Sequence, residues 1–210
     1  MVDGAGDTDT FPTVAGRGEA RLEVRGSTFV GQAAPARTVE EAEAFVEAVR
    51  AAHPDATHNV PAYRVRQPDG LIRDYASDEA EPTGSAGKPA LAVLERRGLE
   101  DVAVVVSRYF GGTELGVGGL VRAYSRAAKG AVDDAGVVER EPREEVVVTV
   151  DYDDSGTVRG ILESEGVEFD AEYAESVAFT ARGPAADVER VADRVLSATG
   201  GRAELDVGDG

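Results

Sequence analysis

Cysteine is absent from this chain, and histidine occurs only twice, as His53 and His58. Without cysteine there can be no disulfide, thiol nucleophile, iron–sulfur cluster or thiolate zinc site. Two histidines are too few for a multi-histidine metal site. Lysine is nearly missing as well: only Lys88 and Lys129 stand among 22 basic residues. No apolar run approaches the ~20 residues that a membrane span needs. The polar, acidic start MVDGAGDTDT is unlike a signal peptide. These absences lead us to expect a soluble cytoplasmic protein with no membrane partner and no metal.

What is present is acid. The 210 residues hold 40 acidic and 22 basic side chains, a net charge of −18. Such a chain repels itself in dilute buffer, and molar salt screens that repulsion. The composition fits adaptation to a high-salt cytoplasm, as in halophilic archaea. The charge is uneven. Residues 1–55 carry net −5, residues 56–130 net +1, and residues 131–210 net −14. A near-neutral middle in so acidic a chain marks a surface that is either buried or must accept an anion.

The pattern predicts an α+β protein of two domains. Residues 1–16, small and Gly-rich, read as disordered. Residues 18–25 and 28–34 alternate as strands around Gly26-Ser27. Thr38 opens a helix through a capping box with Glu41, and Pro54 stops it. Strands at 62–66 and 71–75 flank a hairpin turn at Pro68-Asp69-Gly70. A helix over 87–97, a buried strand over 101–107 and a helix from Leu120 to about Ala135 complete the N-terminal domain, residues 17–138. Polar residues 139–144 mark the boundary. Over 145–210 the order is strand, helix, two strands, helix, strand, a ferredoxin-like βαββαβ arrangement, with Asp154 or Ser155 as the N-cap of its first helix.

Chemistry concentrates in residues 57–126. Arg108-Tyr109-Phe110-Gly111-Gly112 leads through Gly116, Gly118 and Gly119 into a helix, with Arg122 and Arg126 one turn apart on one face. Glycines let a backbone approach a ligand, and a helix N-terminus favours anions, so this segment reads as a phosphate cradle. It lacks the Gly-Lys-Ser/Thr of a Walker loop and the spacing of a dinucleotide fingerprint. Glu81-Pro-Thr83-Gly84-Ser85-Ala-Gly87-Lys88 leads into a second helix N-terminus, which Thr83 or Ser85 can cap. Asp78, Glu79 and Glu81 have Mg²⁺-binding chemistry, although three carboxylates in four residues are expected by composition alone. His58, beside Asn59, has no nucleophile or acid at a recognisable spacing and reads as a binding or structural residue.

These strings closely resemble the IMPACT/YigZ family: Thr57-His58-Asn59 with Ala62-Tyr63, Glu81 to Pro89, Arg108 to Gly112, Leu115-Gly116, and Gly118 to Tyr124. The chain resembles a haloarchaeal-type member. The resemblance implies an N-terminal domain similar to domain IV of elongation factor G and a C-terminal ferredoxin-like domain. Eukaryotic members regulate translation by displacing an amino-acid-sensing kinase from its ribosome-associated activator, using an additional N-terminal domain that this sequence lacks. No catalytic activity is established for the family. Three positions depart from its pattern: Val60 replaces a common cysteine, Ala80 a glycine and Glu79 an aspartate.

Two functions follow as expectations. One is a non-enzymatic RNA- or ribosome-associated binding protein, a regulator of translation, with no cofactor. Its contacts would lie at Gly84–Lys88 and Gly111–Arg126, with Tyr63, Tyr109 or Phe110 stacking on bases. A translation-associated protein is a further partner of this reading. The alternative is a nucleotide- or phosphate-ester-binding protein or enzyme using the Gly-rich loop and His58.

Overall fold

The computed structural model describes residues 10–67 and 70–209. In chain order the first unit contains β1 (Phe11–Val14), β2 (Gly18–Val24), β3 (Ser27–Pro35), α1 (Val39–Ala52), β4 (His58–Arg66), β5 (Ile72–Ala76), α2 (Gly87–Arg96), β6 (Val102–Tyr109), α3 (Val117–Ala135) and β7 (Val137–Arg140). The second contains β8 (Arg143–Val150), α4 (Tyr152–Glu165), β9 (Glu168–Tyr173), β10 (Val177–Pro184), α5 (Ala185–Thr199) and β11 (Glu204–Asp209). The compact units are residues 11–140 and 141 onward.

In the first unit a five-stranded antiparallel sheet runs in the order β2-β3-β6-β4-β5. The Val-rich β6 is central, and Val102 to Val106 are all buried. Alternation sends Val102, Val104 and Val106 to one face, against α2 and α3, and Ala103 and Val105 to the other, against α1. Helix α3 lies very close to the sheet edge. A Cβ on Gly31 would stand 2.3 Å from the Ala127 carbonyl oxygen, so only glycine fits there. The second unit stacks α4 and α5 on a β11-β8-β10-β9 sheet, the antiparallel order of a ferredoxin-like fold.

Several details differ from the sequence expectation. Phe11–Val14 is not disordered: it pairs with Val137–Arg140 as a ribbon, burying Phe11 and Val14, with Thr13 Oγ1 donating to the Asp101 carbonyl. Residues 1–9 lie outside the described residues, as do Pro68 and Asp69 of the hairpin turn. The division falls after Arg140, because Val137–Arg140 belongs to this ribbon. Helix α3 begins three residues earlier than expected, so Gly118 and Gly119 form its first turn rather than a loop. Asp151, not Asp154 or Ser155, is the N-cap of α4. In the α1 capping box Thr38 Oγ1 accepts from Glu41 N, while Glu41 reaches back to Arg37 N. No described helix is long and apolar enough to cross a membrane.

Candidate functional site

Segments 57–59, 78–87 and 107–111 meet at one end of the first sheet. Thr57 N donates to the Arg108 carbonyl at 2.7 Å, and Thr57 Oγ1 accepts from Phe110 N at 3.0 Å. Gly111 N donates to Ser27 Oγ at 3.1 Å. A Cβ on Gly111 would lie 2.0 Å from the Gly26 carbonyl carbon, so this glycine lets the loop rest on the β2–β3 turn. The first amides of the Gly-rich loop therefore hold the loop in place; they are not a cradle.

Glu81 is the hub of the convergence. Its buried Oε1 accepts from Arg108 Nη1 at 2.5 Å and from the Tyr124 hydroxyl at 2.7 Å, with His58 Nε2 3.8 Å away. The Arg108 guanidinium is also buried, 5.5 Å from the ring centroids of both Phe29 and Phe110. Its Nε has no hydrogen-bond partner among the described residues. Burial, and after it the neighbouring Glu81, push the Tyr124 phenol far above its ordinary range. His58 donates from Nδ1 to the Glu79 carbonyl at 2.7 Å, which fixes its ring. Arg108 and Glu81 are thus an internal pair, and Arg108 is not the surface phosphate contact expected from its position before the loop.

The N-terminus of α2 is also occupied from within. The Asp78 carboxylate accepts from Gly84 N at 2.7 Å, Ala86 N at 3.0 Å and Gly87 N at 2.9 Å. Desolvation opposes this charge, but the three N–H bonds outweigh it and hold the Asp78 carboxyl below its usual value. Neither Thr83 nor Ser85 caps the helix; Ser85 is buried, and its Oγ has no partner among the described residues. An external anion has no amides left to bind at Gly84, Ala86 or Gly87. The Mg²⁺ reading fails for a related reason. Asp78 turns to these amides, Glu79 to Arg50 at 2.7 Å, and Glu81 to Arg108. Among the described residues no group of three His, Cys, Asp or Glu side chains is placed to hold a metal.

Two of the three expected stacking aromatics face away. Tyr63 is buried on the α1 side of the sheet, stacked 4.8 Å from Tyr75. Tyr109 is on that side too, sharing a 2.7 Å hydrogen bond with His53 Nδ1. Asn59 accepts there from Ser107 Oγ. Phe110 is half exposed and remains available.

The residues expected to bind an anion that keep side chains or amides without an internal partner among the described residues lie at the start of α3. Arg25, Arg122 and Arg126 line one cavity of about 150 Å³ with Val24, Leu115 and Ala123. None of the three arginines has a carboxylate partner among the described residues. Lys129, by contrast, is held by Asp133, which also takes Arg97. Gly116 (φ 68°) is the N-cap of α3, and no side chain caps the helix. Gly119 N and Leu120 N donate to the Gly116 carbonyl, while the N–H groups of Val117 and Gly118 find no acceptor among the described residues. Gly112, with φ 81°, supplies an earlier bend of the loop. Lys88 is exposed and has no ion-pair partner among the described residues; it stands on neighbouring α2, whose Pro89 carbonyl accepts from Ser125 Oγ at 3.3 Å. Sequence reasoning missed Arg25, Asp78 as an internal cap, and Tyr124. The signals were a charged residue in a two-residue turn, a carboxylate shortly before a helix start, and a hydroxyl-bearing aromatic on an apolar helix face.

The fold and this end of the sheet define a class: two-domain α+β proteins with a five-stranded sheet unit followed by a ferredoxin-like unit. Residues 25–132 match the family described as Impact N-terminal domain, and residues 148–202 match Domain of unknown function (DUF1949). IMPACT family member YvyE of Bacillus subtilis is 33% identical over 95% of this chain and 92% of its own length. IMPACT family member YigZ of Escherichia coli is 34% identical over 87% and 90%. A solved structure titled as that of a hypothetical protein aligns at TM-score 0.72 with 32% identity, covering 93% of this chain and 96% of its own. The chain belongs to the IMPACT family.

Proposed function

We propose that the chain is a non-enzymatic binding protein that contacts RNA, free or on the ribosome, through the cationic side of α2 and α3, and that it regulates translation by that contact. The observation that carries this reading is the unpaired state of Arg25, Arg122 and Arg126 around one cavity, in a chain of net charge −18. Most of its other arginines are matched to carboxylates, as Arg64 is to Asp74 and Arg202 to Asp154. Guanidinium groups without internal partners are free to bind phosphate oxygens in a bidentate fork. Phe110 supplies an exposed ring for a base. The acidic residues 131–210 keep the rest of the chain off a polyanion. The reading requires no cofactor.

The test is co-sedimentation with ribosomes and retention on single-stranded RNA at low and molar salt. We expect Arg122→Glu with Arg126→Glu to abolish both, with the fold intact by circular dichroism. Retention equal to that of the parent chain would refute the reading.

A further inference from the structure

We propose that the cavity between Arg25, Arg122 and Arg126 receives a terminal phosphate monoester of a nucleic-acid strand. The inference rests on the RNA-binding reading and narrows it from backbone to strand end. An internal phosphodiester carries one negative charge. A monoester carries about −1.5 to −2 at neutral pH and presents three free oxygens. Three guanidinium groups around about 150 Å³ match the second better than the first. The rest of the wall comes from Val24, Leu115, Gly119 and Ala123, whose side chains carry no hydrogen-bonding group, so the three arginines are its side-chain contacts for a ligand.

The local backbone supports this geometry. Arg25 has φ 48° and is followed by Gly26 at 83°, a two-residue turn between Val24 and Ser27. Asn, Asp or Gly is the usual first residue of such a turn, so an arginine stands here at a conformational cost. A Cβ on Gly118 would lie 3.6 Å from Arg122 Nη1. The Arg122 guanidinium therefore folds back over the first turn of α3, where Val117 N and Gly118 N have no internal acceptor.

The experiment uses the full chain and three oligonucleotides of one sequence: 5′-phosphorylated, 3′-phosphorylated and hydroxyl at both ends. Affinity is read by fluorescence anisotropy at fixed salt for the parent, Arg25→Gly and Arg122→Ala. We expect one phosphorylated end to bind about tenfold tighter than the hydroxyl form, which corresponds to one lost charge-assisted contact set. The preference disappears in both variants, and the favoured arm tells a 5′ from a 3′ end. Arg25→Gly relieves a positive-φ position, so its melting midpoint rises, and its loss of preference is not a folding defect. Equal affinity for all three oligonucleotides overturns the end-recognition proposal but leaves RNA binding standing. A preference retained in both variants also overturns it. Failure to bind any of the three overturns both readings.

Discussion

Asp78 sets the character of the site, because it supplies from within the negative charge that the second glycine-rich segment offers to bind. Asp78→Ala orphans three N–H groups and should cost about 2–3 kcal/mol in urea unfolding, at roughly 1 kcal/mol per bond. Its carboxyl is lower in the folded chain than in the unfolded one. That stabilisation is complete above the ordinary carboxylate range and is lost as pH falls through the folded value. The stability gap between parent and variant should therefore narrow in acid; a gap independent of pH would contradict the assignment. Ala80 holds φ 66°, a left-handed conformation that favours glycine, so Ala80→Gly should raise stability by about 1 kcal/mol or less in the same assay. Single residues were only partly legible. The sequence marked Arg122, Arg126 and Lys88 by type. It could not show that Arg108 is buried against Glu81, because that partner is 27 positions away.

At the scale of elements, α3 does two jobs with its two faces. One buries Leu120, Ala123, Tyr124, Ala127 and Ala131 on the sheet, and the other exposes Arg122 and Arg126. The buried face makes its polar contact through Tyr124 to Glu81, so the loop at 78–87, β6 and α3 share one carboxylate. Glu81→Gln leaves the Arg108 cation without its counter-charge and should cost about 3–5 kcal/mol. Tyr124→Phe removes one hydrogen bond while Arg108 still holds the carboxylate, and should cost about 1 kcal/mol. Chemical denaturation of both variants checks the ranking, and equal losses would mean that the pair is not the anchor. Most elements were legible because their apolar spacing and caps are local, as with Thr38 before α1 and the valine-rich run of β6. The β1–β7 ribbon was not. Its strands have four residues each, and their pairing joins Phe11 to Arg140 across the whole unit.

For the whole molecule, charge is the governing quantity. A net charge of −18 makes the compact state repel itself, and salt screens that repulsion. The melting midpoint should climb steadily from dilute buffer to molar potassium chloride, and a flat or falling profile would contradict the electrostatic account. The asymmetry between a near-neutral middle and an acidic tail was visible in the sequence, but whether the middle was buried or open to an anion was not. In the folded chain Arg108 of that middle is interior, while its Arg122 and Arg126 line a cavity and have no carboxylate partner among the described residues. The most direct measurement of the central claim is the salt dependence of single-stranded RNA affinity for the parent and for Arg122→Ala with Arg126→Ala. If these side chains neutralise phosphates, the double variant binds more weakly, and its slope of log affinity against log salt is shallower by about 1.4. Superimposable lines for the two proteins would show that this face does not touch the strand.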